Sequence, residues 1–132
     1  MTGTPRVSWT TLTVDCSDAE VVGAFYSHLF GWEITARDGT GWLQISNPHG
    51  GISLNIQAEE AYEPPVWPDQ PGRQAKMMHF EVLVDDLDAA ARLVLASGGA
   101  EAPHQPPDRD PTRIRVMLDP AGHPFCLFVD GE

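Results

Sequence analysis

The sequence has few basic residues and few cysteines, and each shortage excludes a class of protein. Lysine and arginine together number 8 against 19 acidic residues, which gives a net charge of −11. Because proteins bind nucleic acids through clustered basic side chains, we expect no nucleic-acid partner. Cys16 and Cys126 are too few for a disulfide framework and lack the CxxC spacing of a zinc ribbon. Both lie in apolar stretches, which predicts buried thiols.

Long apolar segments are also missing. No run among the 132 residues approaches the length of a membrane-spanning helix, and the N-terminal stretch MTGTPRVSW lacks the features of a signal peptide. We therefore expect a cytoplasmic protein with no membrane partner. The sequence has no P-loop and no GxGxxG, GxSxG or HExxH motif, so the sites that these motifs build are not expected. Hydrophobic residues still make up 42%, enough to bury a core.

The sequence does contain an internal repeat with an offset of 68 residues. Residues 17–33 align without a gap on residues 85–101, and each segment predicts an amphipathic helix that ends at glycine. Capping boxes are expected to begin at Ser17 and Asp85, and Asp18 and Asp86 are expected to act as caps and not as catalytic acids. The predicted helices cover about residues 18–30 and 86–97.

Each half also predicts one strand before its helix and three after it. The whole chain therefore predicts a single α+β domain of two tandem βαβββ modules, residues 1–62 and 75–132. The proline-rich stretch 63–74 predicts a stiff linker between them. The expected strands are 6–15, 32–37, 41–46 and 51–57 in the first module, and 76–85, 100–103, 113–118 and 124–129 in the second.

Side chains that alternate along these strands predict two different sheet faces. One face is apolar and suits packing against the helices, whereas the other mixes polar and aromatic residues. A curved mixed sheet with helices on its convex side and such a concave face predicts a cup for a small molecule. The residues expected on the cup wall are Trp9, Thr11, Asn55, Gln57, His79, Glu81, Arg115 and Cys126.

Three motifs give the chain a family resemblance. The first half carries D-x6-F-Y-x4-G-W-E from Asp18 to Glu33, the second carries H-x4-V-D-D-L-D-A-A from His79, and the tail reads LDPAGHPFCLF. With these motifs the chain resembles the vicinal oxygen chelate superfamily of glyoxalases, bleomycin-resistance proteins and extradiol dioxygenases, in particular its glyoxalase-like domain branch. The resemblance covers nearly the whole chain and implies paired βαβββ modules that form a cup.

The resemblance also implies where a metal would bind. Metal-dependent members hold one divalent ion with four side chains from the first and last strands of each module. Here these positions fall on His79, on Thr11, on Cys126 where the family has Glu, and on Gln57 or Asn55. Threonine is a poor ligand and cysteine is unusual at this position, so we expect no complete metal site and no cofactor. If a transition metal is bound, its expected ligands are His79, Gln57 and Cys126.

Several roles remain open for the central histidine. His79 is a metal ligand, a metal-free site residue that binds the ligand or moves a proton together with Glu81, or a hydrogen-bonded structural histidine. A buried Glu81 needs a partner, and Arg115 is the expected one. Arg113 and Arg115 also fit the alternative of simple edge-strand charges.

Two functional hypotheses follow. The first is a homodimeric glyoxalase/bleomycin resistance protein/dioxygenase-like protein that holds a small organic molecule in its cup, either to sequester it or as an enzyme. The alternative is a divalent-metal-dependent lyase or dioxygenase. The homodimer is expected because a neighbouring subunit often completes the cup in this superfamily, and because the segments 32–37 and 41–46 carry tryptophans suited to a surface.

Overall fold

The first half of the chain folds into one βαβββ module. The computed structural model describes residues 3–130. The strands of this module form a mixed sheet in the order β1-β4-β3-β2, in which β1 and β4 are parallel and the other pairs are antiparallel. The elements are β1 (Thr11–Cys16), α1 (Ala19–Phe30), β2 (Ile34–Asp38), β3 (Trp42–Ile45) and β4 (Ser53–Ala58).

The second half repeats this arrangement. Its sheet has the order β5-β8-β7-β6, which is the order of the first sheet strand for strand, and β5 and β8 are again parallel. The prediction of an α+β fold built from two βαβββ modules is therefore confirmed. The elements are β5 (Glu81–Leu83), α2 (Leu87–Ala96), β6 (Ala100–Glu101), β7 (Ile114–Leu118) and β8 (Pro124–Phe128).

The expectation that Asp18 and Asp86 cap the two helices is confirmed, whereas the capping boxes expected to begin at Ser17 and Asp85 start one residue too early. Asp18, not Ser17, is the N-cap of α1, and its Oδ1 accepts hydrogen bonds at 3.1 and 3.2 Å from two backbone N–H groups of the first turn. Asp86, not Asp85, caps α2 in the same way. Aspartate satisfies these otherwise unpaired donors well. Helix α1 ends at Gly31, whose φ of 72° is the left-handed conformation expected of a C-cap glycine.

The first strand of each module is shorter than predicted. Pairing begins only at Thr11 in β1 and at Glu81 in β5, whereas residues 3–10 and 74–80 have no regular secondary structure. Both β1 and β5 lie at the edge of their sheet. Apart from the Phe80 carbonyl, which accepts from the Cys126 N–H at 2.9 Å, no described backbone hydrogen bond pairs the preceding residues with a strand.

One hydrophobic core joins the two modules. Helix α1 packs on its own sheet and also reaches the second module, where the ring of Phe25 lies 6.0 Å from that of Phe125 and the ring of Tyr26 lies 5.5 Å from that of Phe80. Each sheet thus turns one face to the shared core and the other away from it. The fully buried side chains of this core include Phe25, Tyr26, Leu43, Ile56, Phe125 and Leu127.

Neither helix within residues 3–130 is long and apolar enough to cross a membrane.

Candidate functional site

The outer face of the first sheet carries a short ladder of polar side chains. The register of β1, β4 and β3 places Thr11, Asn55 and Gln57 on the face away from the core, as their alternation predicts. The Asn55 Nδ2 group donates to the Thr11 hydroxyl at 3.1 Å, and Gln44 Nε2 donates to the Asn55 carbonyl at 3.2 Å. Gln57 donates to Glu59 at 2.6 Å. These side chains are half-buried and offer amide and hydroxyl groups to a ligand.

The outer face of the second sheet brings together three other predicted residues. Glu81 lies directly opposite Cys126 in the parallel β5–β8 ladder, so both side chains share this face. His79 Nε2 lies 3.9 Å from Glu81 Oε2, which is an ion-pair distance but longer than a hydrogen bond. The His79 side chain is 37% exposed. The ring is therefore accessible to a ligand.

The linker covers part of this second face. Trp67 packs on a small cluster around Cys126 and Val116, and its indole N–H donates to the His104 carbonyl at 2.9 Å. The Lys76 ammonium lies 4.4 Å from the centre of the Trp67 ring. The positive charge of Arg109 opposes part of the rise that burial causes in the pKa of the Cys126 thiol. These contacts cover the part of the outer face around Cys126. The part that remains open lies around His79, Glu81 and the edge of the Trp67 ring.

Arg115 does not lie on this face, and the expectation that it partners Glu81 is wrong. In the β7–β8 register Arg115 is opposite Leu127, which belongs to the core side. Its guanidinium pairs with Asp88 of α2 at 2.6 Å and lies 3.8 Å from Glu101. This hydrogen bond and charge hold the pKa of the exposed Asp88 carboxyl below its ordinary value.

Trp9 is 63% exposed and lies in the unpaired segment 3–10, before β1 begins. Among residues 3–130, no described hydrogen bond or ion pair joins the first-sheet set of Thr11, Asn55 and Gln57 to the second-sheet set of His79, Glu81 and Cys126. One chain by itself thus presents the predicted site residues as two separate groups, one on each sheet.

A cavity of about 630 Å³ lies where the two modules meet. Its wall includes the β1 residues 12–15, the end of the first module at 59–63, and the segment 74–80 with His79. Tyr26 and His123 also line it. Small-molecule sites in proteins have comparable volumes and a similar mixture of apolar and polar walls.

A buried hydrogen-bond cluster supports this cavity. The Tyr26 hydroxyl donates to Asp119 Oδ2 at 2.5 Å, while Oδ1 accepts the backbone N–H groups of Ala121 and His123, each at 2.9 Å. Burial raises the pKa of Asp119, and His123 and these hydrogen bonds only partly oppose that effect. Burial beside Asp119 also raises the pKa of Tyr26 well above its ordinary value, so the phenol remains the proton donor.

His123 connects this cluster to the edge of the first sheet. Its Nε2 lies 2.6 Å from the Asp15 carbonyl oxygen, which accepts only, so Nε2 carries the proton. The Tyr62 hydroxyl donates to the Ala121 carbonyl at 2.7 Å, and burial raises its pKa. The end of the first module is thus fixed to the closing turn of the second.

Several of these residues escaped the sequence interpretation. The sequence pattern places His123 in a turn and gives it no further role. Trp67 and Arg109 lie in irregular segments, where no periodicity predicts the position of a side chain. The DPAGHP turn was a usable signal for the cluster, because its aspartate and glycine predict a tight turn that needs side-chain acceptors.

The donor set does not fit a complete metal site within one chain. Among residues 3–130 no three or more His, Cys, Asp or Glu side chains come together as possible ligands. Cys126 is only 5% exposed, and burial raises the pKa of its thiol, which disfavours the thiolate that a metal needs. Cys16, whose pKa burial raises to about 11, lies in the core.

Known structures share this fold at low sequence identity. A glyoxalase/bleomycin resistance protein from Albidiferax ferrireducens is 18% identical, with a TM-score of 0.59 over 95% of this chain and 100% of that one. An antibiotic-binding protein from Streptomyces sp. CB03234 is 22% identical, with a TM-score of 0.60 over 98% and 100%. A fosfomycin resistance protein from Listeria monocytogenes is 17% identical, with a TM-score of 0.63 over 98% and 96%.

Among curated proteins, none matches the sequence significantly. The family model of the glyoxalase-like domain, in contrast, matches residues 11–128, which include every helix and strand described above. Together with its structural neighbours, this match confirms the resemblance to the vicinal oxygen chelate superfamily. The chain belongs to the glyoxalase-like domain family.

Proposed function

We propose that the protein binds a small organic molecule beside His79, without a complete metal site. The observation that carries this proposal is the cavity of about 630 Å³ at the junction of the modules, with His79 in its wall. A volume of this size holds a small organic ligand. The antibiotic-binding neighbour supports the proposal, because it is a protein of the same fold that holds a small molecule.

The lining of the cavity supports binding more than core packing. The cavity wall combines apolar side chains such as Phe80 and Leu12 with the polar residues His79 and Tyr62. Apolar walls supply most of the binding free energy, and a few polar groups orient the ligand. His79 lines the cavity and also lies beside Glu81 on the outer face of the second sheet.

A second copy of the chain is part of the proposal. The polar groups predicted to form one cup lie on two sheets, and both β1 and β5 have a free edge beside them. A homodimer that places β1 of one copy next to β5 of the other completes two equivalent cups by symmetry. The free thiols of Cys16 and Cys126 agree with the cytoplasmic location that the sequence predicts.

Replacement of His79 by alanine tests the binding proposal. The probe is the neutral fluorophore N-phenyl-1-naphthylamine, whose emission rises in an apolar site. We expect His79→Ala to weaken probe binding by about fivefold or more, a loss of about 1 kcal/mol. The thermal midpoint should change by only a few degrees, since a partly exposed side chain contributes about 1 kcal/mol or less to stability.

His49→Ala is the matched control, because His49 is exposed in the β3–β4 turn, away from the cavity. Its probe affinity should equal that of the unmodified protein. Loss of folding in His79→Ala would show that His79 is structural, and unchanged probe binding in the folded variant would show that the proposed site is wrong.

A further inference from the structure

One side chain attaches the exposed part of the linker to the second module. A backbone hydrogen bond of 2.8 Å, in which the Val66 N–H donates to the Gln74 carbonyl, closes residues 66–74 into a loop, termed the linker loop. Most residues of this loop are exposed. Among residues 3–130, its one described hydrogen bond to a part of the chain distant in sequence runs from the Trp67 indole N–H to the His104 carbonyl at 2.9 Å. The position of the loop therefore depends on Trp67.

The contact surface beneath the Trp67 indole is small. The ring packs on a cluster of buried side chains that is distinct from the core between the modules. The members of this cluster are Ala102, Val116 and Cys126. Segments that are held by few buried apolar contacts open locally at a lower free energy than the whole fold does. The linker loop has this property.

The surface beneath the indole continues the proposed binding site. Cys126 pairs with Glu81 on one side and with Val116 on the other, so the three side chains form a row across the outer face of the second sheet. His79 lies at the open end of this row, 3.9 Å from Glu81. A ligand beside His79 therefore borders the surface that the indole covers.

Both ends of the linker loop also border the cavity. Pro65, which precedes the loop, and Gln74, at its end, line the cavity wall together with Lys76. The Lys76 ammonium lies 4.4 Å from the centre of the Trp67 ring, so the indole contacts a residue of that wall. Displacement of the loop would change both the cavity wall and the outer face of the second sheet.

We infer that the linker loop is a lid and that Trp67 is a specificity-determining residue of the proposed site. With the lid closed, the outer face accepts a ligand only around His79 and Glu81. When the indole leaves its cluster, the uncovered apolar patch extends the site and takes the hydrocarbon or aromatic body of a larger neutral ligand. Burial of that body replaces the contacts that the indole loses. The inference rests on the proposed function and defines the size range of its ligands.

The two cysteines report lid opening and global unfolding separately. Cys126 lies beneath the indole, whereas Cys16 is 0% exposed in the core between the modules, and both thiols are free. Iodoacetamide, a small neutral reagent, alkylates a thiol when it becomes exposed, and peptide mass spectrometry assigns the two rates. We expect Cys126 to react about 100-fold faster than Cys16 or more, with a weaker dependence on urea, because local opening exposes less surface than unfolding.

Substitutions at Trp67 test whether the indole holds the lid closed. Trp67→Ala should raise the alkylation rate of Cys126 by about tenfold or more and leave that of Cys16 within about threefold. Trp67→Phe keeps a ring but loses the hydrogen bond to His104, so a rise of about fivefold is expected, and this variant provides the test should the alanine variant not fold. Leu95→Ala removes an exposed apolar side chain from α2 and should leave both rates within about twofold.

Two neutral dyes of different size test the link between the lid and ligand binding. N-phenyl-1-naphthylamine is the smaller probe, and Nile red is the larger one. Trp67→Ala should increase the affinity for Nile red by about tenfold and leave that for the naphthylamine within about twofold. The control Leu95→Ala should change neither affinity.

The outcomes distinguish the lid from the proposed function. Equal rates for Cys126 and Cys16, or an equal rise of both rates in Trp67→Ala, would show that the indole belongs to the global fold and would refute the lid. Unchanged Nile red affinity in Trp67→Ala would refute the role of Trp67 in specificity. If the naphthylamine still binds and still depends on His79, these failures leave the proposed function intact. If the naphthylamine does not bind the unmodified protein, the proposed function fails and the specificity inference fails with it.

Discussion

Asp119 shows how a single carboxylate both fixes the fold and limits its stability. All its described hydrogen bonds come from the Tyr26 hydroxyl and two backbone N–H groups. Because burial raises its pKa, the folded state binds a proton at Asp119 more tightly than the unfolded state does. The stabilisation that this protonated form provides is present below the ordinary carboxyl pKa and is lost as pH rises through the raised value.

Asp119→Asn should separate the hydrogen bonds from the charge. The asparagine carbonyl can still accept the two backbone N–H groups, and its amide can donate to the Tyr26 oxygen. We expect the free energy of unfolding of this variant, relative to that of the unmodified protein, to increase as pH rises from about 4 to about 7. Urea unfolding of both proteins at several pH values measures this difference. The contributions of the other titrating groups are the same in both proteins and cancel.

Asp119→Ala is the contrasting variant. It leaves a buried hydroxyl and two backbone donors without an acceptor, which should lower the free energy of unfolding by about 3–5 kcal/mol. A pH-independent difference between Asp119→Asn and the unmodified protein, or equal stability of the asparagine and alanine variants, would contradict this account of the cluster.

Individual residues also show what sequence reasoning can predict about the site. Alternation places Thr11, Asn55 and Cys126 on the outer faces, because a strand with one apolar face turns that face to the core. The same argument gave the wrong face for Arg115, because β7 has apolar residues on both faces. Met117 faces the helices, whereas Val116 faces Trp67. Binary patterning cannot choose between two apolar faces, and the linker that covers one of them leaves no periodic signal.

At the scale of elements, two glycines set how closely helices and strands approach. A Cβ at Gly99 would lie 2.7 Å from the Leu118 carbonyl oxygen and at the same distance from two core side chains. A Cβ at Gly23 in α1 would lie 2.5 Å from Leu43 Cδ2, the end of a flexible side chain on β3. A backbone atom cannot move aside as a leucine methyl can, so the two positions should respond differently.

Gly99→Ala should therefore lower the free energy of unfolding by about 3 kcal/mol, at the upper end of overpacking costs. Gly23→Ala should cost about 1 kcal/mol, because the helix propensity of alanine offsets part of the crowding. Gly41→Ala is the control, since its nearest neighbour, Ala58, is 4.0 Å away and a change within about 0.5 kcal/mol is expected. Denaturant unfolding measures all three, and a smaller effect at Gly99 than at Gly23 would contradict the packing argument.

The elements themselves were the most predictable level of the structure. Each module has a capped helix and alternating strands, and these local signals agree with one another. The length of β1 and β5 could not be predicted, because strand pairing depends on a neighbouring strand and not on alternation alone. Residues 6–10 alternate as strands do, yet no strand lies beside them.

The whole molecule presents matching features at both free sheet edges. With the 68-residue offset, Trp9 before β1 corresponds to Met77 before β5, and these side chains are 63% and 87% exposed. Val7 and Met78 add two more exposed apolar side chains to the same segments. Unpaired strand edges that carry apolar side chains favour pairing with another chain. A closed symmetric dimer pairs these edges with each other and leaves none for further association.

Met77→Glu should convert the expected homodimer into a monomer, because it places a charge where the edge of β5 would meet β1 of a second copy. Size-exclusion chromatography with light scattering at about 10 µM measures the mass, at a concentration where an interface of ordinary size stays associated. Leu95→Glu, at an equally apolar but unrelated position on α2 that is 56% exposed, should remain dimeric. A monomeric unmodified protein at this concentration, or equal dissociation of both variants, would refute the proposed dimer and leave each chain to bind its ligand alone.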